Sequence, residues 1–465
     1  PAFAVGRIRG LFPDLNVETS GPERLLAAPV SALEEAGRQG CGALWDYFAS
    51  RQDCAPALAA MERARTMERG RLSPAAVRTL YGENIRMSAS RMDKINACHF
   101  AFFMEYGLKA KERRKAGLDA PEIGTFLHYL LENTAREARL RGGFECLSRE
   151  ELHRLIRDYI DRFAAEQLGG LEDKSARFRY LFNRLKKTAY AIVDNVAAEL
   201  AVSDFVPLAF ELEFGEKGTL PAVSIRSGKT ALRVGGKVDR VDGWLKDGKL
   251  YLRVVDYKTG KKKFDLSEIL HGVGVQMLLY LFTLERQGLA ALGGGEVKEM
   301  VGAGVEYLPA RDAILTIDRG ASEAQIAAAM EKELKRSGMF LYNAEVLEAM
   351  EHGCTQEPHF LPLSVKKDGT IADGVATAAQ LGKLSRYVDH LLKNIAAEMG
   401  KGNIDADPNY QSESKNACTY CAFASACHFE EGRGRDRKRY IAAVKENAFW
   451  ETLDRMQDMD AGGEE

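Results

Sequence analysis

The sequence between residues 235 and 264, GGKVDRVDGWLKDGKLYLRVVDYKTGKKKF, constrains the fold most, because it places charged side chains inside strand-forming segments. Two apolar runs flank the turn-forming letters KDGK, a pattern that predicts a β-hairpin. Asp239 lies in the first strand. Asp256 and Lys258 lie two residues apart in the second strand, so they point to the same face of the sheet. Charged groups on a sheet face need partners. The hairpin is therefore expected to carry charged groups that interact with partners, in addition to apolar core residues.

Two interpretations of these charges remain open from the residues alone. Two carboxylates beside a lysine suit a site for a divalent cation such as Mg²⁺ or Mn²⁺, in which the metal activates water and Lys258 stabilises charge on the water or on a phosphate. Alternatively, the charges are exposed at two ordinary strand ends. For Asp242 and Asp247, the other acids of the hairpin, we expect ordinary exposure to solvent.

Composition narrows the class of protein. The chain has 465 residues, of which 46% are hydrophobic and 28% charged, as in a globular protein with a substantial core. Its 65 basic and 67 acidic residues give a net charge of −2, which excludes a histone-like protein but not a local basic groove. The longest apolar run, residues 277–282, is too short to span a bilayer, and no secretory signal is visible, so we expect a cytoplasmic protein. The first residue is Pro1, so we expect a piece of a longer protein.

Periodicity predicts an α/β arrangement, a small sheet flanked by many helices. Residues 1–85 have a helical composition. Strands are predicted at 207–214, 231–244, 250–258 and 301–309. Helices are predicted at 123–140, 149–167, 174–202, 265–285, 321–336, 343–351, 375–399 and 437–458. The letters SGKT at 227–230 lack the first glycine of a phosphate-binding loop and predict a hairpin turn instead.

Three cysteines near the C-terminus have ligand spacing. Cys418, Cys421 and Cys427 form a C-x2-C-x5-C pattern, in which the first two thiolates can bind one centre. The pattern fits zinc or an iron–sulfur cluster, and His99 or His428 could replace a thiolate. The other cysteines are interpreted as ordinary thiols, apart from the one discussed below; they are Cys41, Cys54, Cys146 and Cys354.

The order of motifs resembles a known family. The letters GKVDRVD and VDYKTG, then Gln276 and Tyr280, and the G-x-x-x-H pair Gly124 and His128 resemble the RecB-type branch of the PD-(D/E)XK nucleases. The phrases AGVEYLPARD, SGMFLYNAEVLEAM and FLPLSVKKDGT resemble the nuclease part of the AddB family of helicase/deoxyribonuclease subunits, over about residues 86–430. We expect Gly124 to let its helix face approach the sheet.

The resemblance implies roles for individual residues. It implies metal ligands, a catalytic lysine and groups that face DNA or support the site, together with a glutamate for which Glu211 and Glu213 both qualify. The metal ligands are His128, Asp239, Asp256 and the carbonyl of Tyr257; the lysine is Lys258; the supporting groups are Gln276 and Tyr280. It also implies that Cys98 is the fourth ligand of a [4Fe–4S] cluster with Cys418, Cys421 and Cys427, joining the two ends of the nuclease region.

The sequence thus predicts a PD-(D/E)XK core with residues 1–85 as the tail of a helicase-like part, a nuclease domain at 86–435 and a C-terminal helix at 436–465. Lys261, Lys262 and Lys263 directly follow the site and are expected to bind phosphates of a single strand. The resemblance implies a metal-dependent DNA exonuclease that cuts the 5′-ended strand during double-strand-break repair, beside an AddA-type helicase–nuclease. The alternatives are a Cas4-like iron–sulfur nuclease and a catalytically silent DNA-binding or scaffold module.

Overall fold

The computed structural model describes residues 43–66, 69–111, 120–216, 218–311, 315, 317–318 and 320–461. Cys41 and the helical prediction for the first 42 residues lie outside these ranges. The chain divides into two compact units, Pro1–Arg69 and Gly70–Glu465. The second unit thus begins before residue 86, where the sequence places the start of the nuclease domain.

Helices form the largest part of the regular structure in the described chain. The helices are α1 (Ala43–Ala49), α2 (Ala55–Thr66), α3 (Pro74–Tyr81), α4 (Ala89–Ala97), α5 (His99–Phe102), α6 (Ala120–Leu140), α7 (Arg149–Glu166), α8 (Ala176–Leu200), α9 (Leu266–Ile269), α10 (Gln276–Gln287), α11 (Leu289–Leu292), α12 (Glu323–Leu334), α13 (Ala344–Met350), α14 (Ala378–Gly400), α15 (Ala424–Cys427) and α16 (Glu446–Ala461). The first two belong to the first unit. No helix in the described ranges is long and apolar enough to cross a membrane.

Eleven strands in the described chain form three sheets. The strands are β1 (Asn84–Met87), β2 (Val206–Phe214), β3 (Val223–Ser227), β4 (Thr230–Val234), β5 (Gly236–Lys246), β6 (Lys249–Lys258), β7 (Glu299–Pro309), β8 (Ser337–Leu341), β9 (Val375–Ala376), β10 (Asn409–Tyr410) and β11 (Arg439–Tyr440). The main sheet is mixed and has the order β2-β5-β6-β7-β8-β9; β1-β4-β3 and β10-β11 form the smaller sheets. The predicted α/β class with a small mixed sheet is confirmed.

The hairpin predicted from KDGK joins β5 and β6. Lys246 pairs with Lys249, and the two residues between them, Asp247 and Gly248, have φ angles of +50° and +78°. Two consecutive residues with positive φ characterise the tight turns whose twist matches that of a β-hairpin. The SGKT letters likewise form the turn between β3 and β4, where Ser227 pairs with Thr230, so both hairpin predictions are confirmed.

The strand predicted at 231–244 is two strands in different sheets. The break falls at Gly235 and Gly236, where a Cβ atom would lie 3.0 Å from the carbonyl oxygen of Phe214 and 2.7 Å from the ring of Tyr280, respectively. Glycine is therefore needed where the chain passes from β4 to β5. Alternating apolar residues on both sides of this pair concealed the break from the sequence pattern.

Two predicted helices are shorter than their periodicity indicated. The helix predicted at 265–285 is interrupted between α9 and α10, because Gly272 and Gly274 both have φ angles of +73°, outside the right-handed helical region. The helix predicted at 437–458 begins at Glu446, since Arg439 and Tyr440 instead form β11.

The main sheet is covered on both faces. One apolar cluster joins the sheet to α10 and α14, and every residue from Met277 to Leu284 of α10 is buried. A second cluster joins the three helices α6, α7 and α8 to the sheet through residues such as Val255 and Tyr257. Strands that are covered on both faces leave their ends as the accessible positions for polar chemistry.

Six of the buried charged side chains form one network inside this core, and one of the six corrects a sequence prediction. Asp242, which we expected to be exposed, is fully buried. Its carboxylate accepts hydrogen bonds from Arg240 at 2.9 Å and from Arg253 at 2.8 Å. The buried charge network consists of Glu199, Arg240, Asp242, Arg253, Glu306 and Arg336. The partners of Asp242 are Arg240, two residues before it in β5, and Arg253, directly opposite it in β6, so the hairpin itself supplies the charges that allow this burial.

The network holds three positive and three negative charges. Arg253 Nη1 lies 3.2 Å from both Glu199 and Glu306, and Arg336 Nη2 lies 2.5 Å from Glu199. Burial raises the pKa of Glu199, but the charges of Arg336 and Arg253 outweigh it and lower the value to about 2. Burial and then the charge of Glu199 raise the pKa of Glu306 to about 7. Removing one member of such a set leaves a buried charge without a partner.

We expect Asp242→Asn to lower the free energy of unfolding by about 3–5 kcal/mol, because Arg240 and Arg253 lose their shared counter-charge. Asp247→Asn is the matched control, since this exposed turn residue keeps a side chain that tolerates positive φ, and it should change the value by less than about 0.5 kcal/mol. Chemical denaturation of both variants measures the difference. Equal stability of the two variants would contradict a structural role for the network.

Candidate functional site

Three carboxylates lie in a row across the main sheet. Extending the antiparallel registers by one residue places Glu211 of β2 opposite Asp239 of β5, and Asp239 opposite Asp256 of β6. The Tyr257 backbone N–H donates a hydrogen bond to Asp239 Oδ2 at 2.8 Å, which fixes the central carboxylate. Side chains at directly opposed positions are neighbours, so the sheet itself concentrates negative charge here.

Helix α6 brings a histidine to this row. His128 Nδ1 lies 3.4 Å from Glu211 Oε1 and 3.6 Å from Asp239 Oδ1. One ligand atom from each of these three residues lies within 4.8 Å of the other two. The imidazole ring is held edge-on against the ring of Tyr257, with centroids 5.4 Å apart. A Cβ at Gly124 would meet nothing within 4 Å, so the expectation that this glycine allows a close approach is wrong.

The pKa values of Asp239, Asp256 and His128 are all raised, which reflects the excess of negative charge at the site. Burial, followed by the charge of Asp256, raises the pKa of Asp239 to about 7. Burial also raises the pKa of Asp256. Burial lowers the pKa of His128, but its contact with Glu211 and the charge of Asp239 outweigh it and raise the value. A cation among these groups would relieve the repulsion between the carboxylates.

Two lysines stand at the two ends of the carboxylate row. Lys258 Nζ lies 2.5 Å from Asp256 Oδ2 at one end, and Lys237 forms an ion pair with Glu211 at the other. Lys237 was not predicted as a site residue, although it lies two residues before Asp239 and alternate residues of a strand share a face.

The structure separates the two candidate glutamates. Glu211 contacts His128, whereas Glu213 lines a neighbouring cleft of about 850 Å³. Glu211 also has a φ angle of +51°, which is rare for a residue other than glycine. Backbone strain of this kind persists where the surroundings hold the residue in place, and it is common at functional sites.

Gln276 and Tyr280 lie one turn apart at the start of α10, and Gln276 Nε2 donates a hydrogen bond to the Tyr280 hydroxyl at 3.1 Å. The Tyr280 ring packs against Gly236, the position where a Cβ would collide with it. The first glycine of the letters GKVD is therefore explained by the tyrosine that faces it. Burial raises the pKa of Tyr280 to about 12, so its hydroxyl stays protonated.

A further acid near the site escaped the sequence analysis. Asp93 of α4 is half-buried, and its carboxylate accepts a hydrogen bond from the Gly274 N–H at 2.9 Å. Asn96, one turn later, donates to the Gly272 carbonyl at 2.7 Å. Helix α4 thus holds the loop that leads into α10. These contacts join positions about 180 residues apart, which no local pattern signals.

The three consecutive lysines line a second cavity of about 540 Å³, together with Lys258. Lys261 Nζ lies 3.2 Å from Glu333, and Lys262 Nζ lies 3.0 Å from Glu268. Lys263 lines the same cavity. All three therefore line a cavity that Lys258, the lysine at the end of the carboxylate row, also lines, and two of them are held by acids.

The four candidate cluster ligands come from both ends of the second unit. Cys98 is buried between α4 and α5, and Cys421 packs in the same small apolar cluster. Burial, then the proximity of Cys98 and Cys421, raises the pKa of Cys418. Cys427 is the last residue of α15. Arg439 of β11 donates to the Asn96 carbonyl at 2.7 Å, so the C-terminal segment is fixed to the end of α4 next to Cys98.

The amino-acid sequence of this chain is similar to those of known proteins. A family model described as the PD-(D/E)XK nuclease superfamily matches residues 86–428. The match covers well over half of the chain, and the chain belongs to the PD-(D/E)XK nuclease superfamily. The recognition of this family from the motif order is confirmed. Enzymes of this family use divalent metals, which agrees with the imidazole and carboxylate donors found here.

Curated relatives specify the similarity further. The chain is 33% identical over 82% of its length to the AddB subunit of the ATP-dependent helicase/deoxyribonuclease of Caldanaerobacter subterraneus subsp. tengcongensis, covering 32% of that protein. It is 32% identical over 81% of its length to the protein of the same name from Acetivibrio thermocellus, covering 33% of it, and 30% identical over 84% to that of a Thermoanaerobacter species, covering 34%. The chain spans about a third of the length of the curated relatives it matches.

If His128 is a metal ligand, His128→Ala should weaken Mn²⁺ binding at least about tenfold, because one donor of the set is lost. Isothermal titration calorimetry measures the affinity directly. His153→Ala is the matched control: this half-buried histidine of α7 pairs with Asp194 at 2.8 Å and belongs to no metal-ligating group of the described chain. Unchanged Mn²⁺ affinity in the His128 variant would make this residue a core histidine.

Proposed function

We propose that this chain is the nuclease part of an AddB-type helicase/deoxyribonuclease subunit and that it hydrolyses phosphodiester bonds of DNA as a metal-dependent exonuclease. The observation that supports this most is the row Glu211–Asp239–Asp256 with His128 beside it and Lys258 at its end. The raised pKa values of Asp239, Asp256 and His128 reflect groups that would be unfavourable together as a purely structural arrangement.

The residues present fit a divalent cation, Mg²⁺ or Mn²⁺. We assign His128, Asp239 and Asp256 as its ligands, with the carbonyl of Tyr257 as a fourth and Glu211 as an adjacent acid. Hard oxygen donors suit both ions, and one imidazole is compatible with Mn²⁺. When bound, such an ion supplies an activated water and neutralises charge on the phosphate.

The protein's own groups then orient the substrate and balance its charge. Lys258 Nζ, held by Asp256, provides a fixed positive charge for the phosphate that is cleaved. Tyr280 and Gln276 form a hydrogen-bonded pair that offers a donor at the edge of the 850 Å³ cleft. The lysines from 261 to 263 line the cavity on the other side and are suited to phosphates of a single strand.

The biological setting is proposed from the names of the relatives. A helicase/deoxyribonuclease subunit implies a second subunit, for which we propose an AddA-type helicase–nuclease, with DNA ends as the shared substrate. We further propose that the chain trims the 5′-ended strand during double-strand-break repair in the cytoplasm. In this proposal residues 86–435 are the nuclease domain, residues 1–85 the tail of a helicase-like part, and residues 436–465 a C-terminal helix.

We also propose that Cys98, Cys418, Cys421 and Cys427 bind a [4Fe–4S] cluster. Cys98 and Cys421 pack in one small apolar cluster, and both act electrostatically on Cys418, so these three thiols lie close together. Four cysteine thiolates suit either zinc or an iron–sulfur cluster, and the resemblance to the AddB family favours the cluster.

Asp256→Asn and Lys258→Met should each slow cleavage of labelled single-stranded DNA at least about 100-fold in the presence of Mn²⁺, because each removes charge at the reacting phosphate. Lys249→Met is the matched control, since Lys249 is an exposed lysine at the far end of the same strand, β6. A thermal melt of every variant accompanies the assay. Cleavage at the wild-type rate in either site variant would refute the assignment, and absence of cleavage by the folded wild type would favour a silent DNA-binding module.

Cys98→Ala should lose bound iron and sulfide and melt about 5 °C or more below the wild type, because the centre no longer joins the two ends of the unit. Cys146→Ala, at an exposed cysteine outside the proposed ligand set, should leave both properties unchanged. The measurement is iron, zinc and sulfide analysis of anaerobically purified protein beside its melting curve. Stoichiometric zinc without iron would overturn the cluster identity.

A further inference from the structure

A third cavity, of about 840 Å³, lies beside the cysteines and has no part in the assignments above. Its lining carries four basic side chains and a single acid, although the whole chain has a net charge of −2. These charged residues are Arg91, Lys94, Lys109, Lys111 and Glu105. A local excess of three positive charges on an acidic chain is the electrostatic signature of a surface that meets an anion.

Most of this charge is available to a ligand. Lys94 is paired with Glu105 at 2.8 Å. Lys109 and Lys111 are exposed, and among the described residues no acid pairs with either of them. The Arg91 guanidinium lies 4.8 Å from the centre of the Tyr106 ring and donates to the Arg86 carbonyl at 2.7 Å, which fixes its position without neutralising its charge.

An aromatic ring is displayed beside these charges. Tyr420 lines the same cavity and is 97% exposed, which makes it the most exposed large apolar side chain of the described chain. Its turn is ordered, since Asn416 Oδ1 accepts hydrogen bonds from the backbone N–H groups of Cys418 and Thr419. A solvent-facing ring next to lysines, on a turn that hydrogen bonds hold in place, is the arrangement on which unpaired bases stack while their phosphates are neutralised.

The cavity adjoins the cleft beside the proposed nuclease site. Arg91 lines both this cavity and the 850 Å³ cleft, and that cleft is also lined by Lys237, Gln276 and Tyr280 at the carboxylate row. The basic and aromatic surface therefore shares a wall with the cleft that reaches the carboxylate row.

We infer that the surface formed by Arg91, Lys109, Lys111 and Tyr420 binds single-stranded nucleic acid as an extension of the cleavage site. This inference rests on the proposed nuclease function and adds a binding subsite to it. Tyr420 stacks on a base, and the basic side chains neutralise phosphates upstream or downstream of the bond that is cut.

The test is fluorescence anisotropy of labelled oligothymidylate with the anaerobically purified chain, without added divalent metal. Tyr420→Ser should weaken binding about five- to hundredfold, the ratio that corresponds to one lost stacked base, and Tyr420→Trp should restore it. The plot of log affinity against log salt has a negative slope, and the double variant Lys109→Gln/Lys111→Gln should make this slope shallower by about 1.4. Tyr180→Ser and Lys187→Gln, at exposed positions of α8, are the matched controls and should bind like the wild type.

Hydrolysis of a thymidine dinucleotide in Mn²⁺ separates this inference from the proposed function. The dinucleotide needs only the carboxylate row, so Tyr420→Ser should cleave it at the wild-type rate. Wild-type affinity for oligothymidylate in Tyr420→Ser and in the double lysine variant would overturn the inference, even with cleavage intact, and would leave the surface to a protein contact. A wild type that cleaves neither substrate would instead overturn the nuclease assignment.

Discussion

Two carboxylates that face each other on adjacent strands repel, and the arrangement of Asp239 and Asp256 is the constraint on which the rest of the site depends. Their separation is set by the sheet register and cannot relax without breaking backbone hydrogen bonds. His128 from a helix and a lysine at each end of the row compensate part of this negative charge. The negative charge that remains uncompensated makes the binding of a cation favourable.

The buried charge network supports this arrangement from within the core. Arg240 follows Asp239 directly, and its guanidinium lies 5.9 Å from the centre of the Tyr257 ring, whose backbone N–H holds Asp239. The same two strands therefore carry the site at one end and a set of paired buried charges behind it. Because interiors of this kind tolerate little displacement, the carboxylates are held before any ligand arrives.

Much of this could be predicted from the sequence, for physical reasons that differ by element. The strand carrying Asp256 and Lys258 was predicted because alternation fixes which side chains share a face, and the β5–β6 turn because few residues tolerate positive φ. Asp242 was misjudged because Arg240 and Arg253 were not considered as its partners, although the hairpin register places both beside it. Asp93 was overlooked because its contact with Gly274 has no local sequence signature. Patterns report local geometry, whereas the satisfaction of buried charge is a property of the folded chain.

The connections of α4 have a consequence for how the protein is made. This helix bonds to Gly272 and Gly274, and its Asn96 carbonyl accepts a hydrogen bond from Arg439, which is 343 residues later in the chain. During synthesis α4 leaves the ribosome long before these partners have been made, so its apolar face stays exposed to solvent until the rest of the core has been synthesised. Such distant pairing slows folding and lengthens the time in which the nascent chain can aggregate. Chaperones would therefore have most exposed apolar surface to protect while only the N-terminal half of the unit has been made.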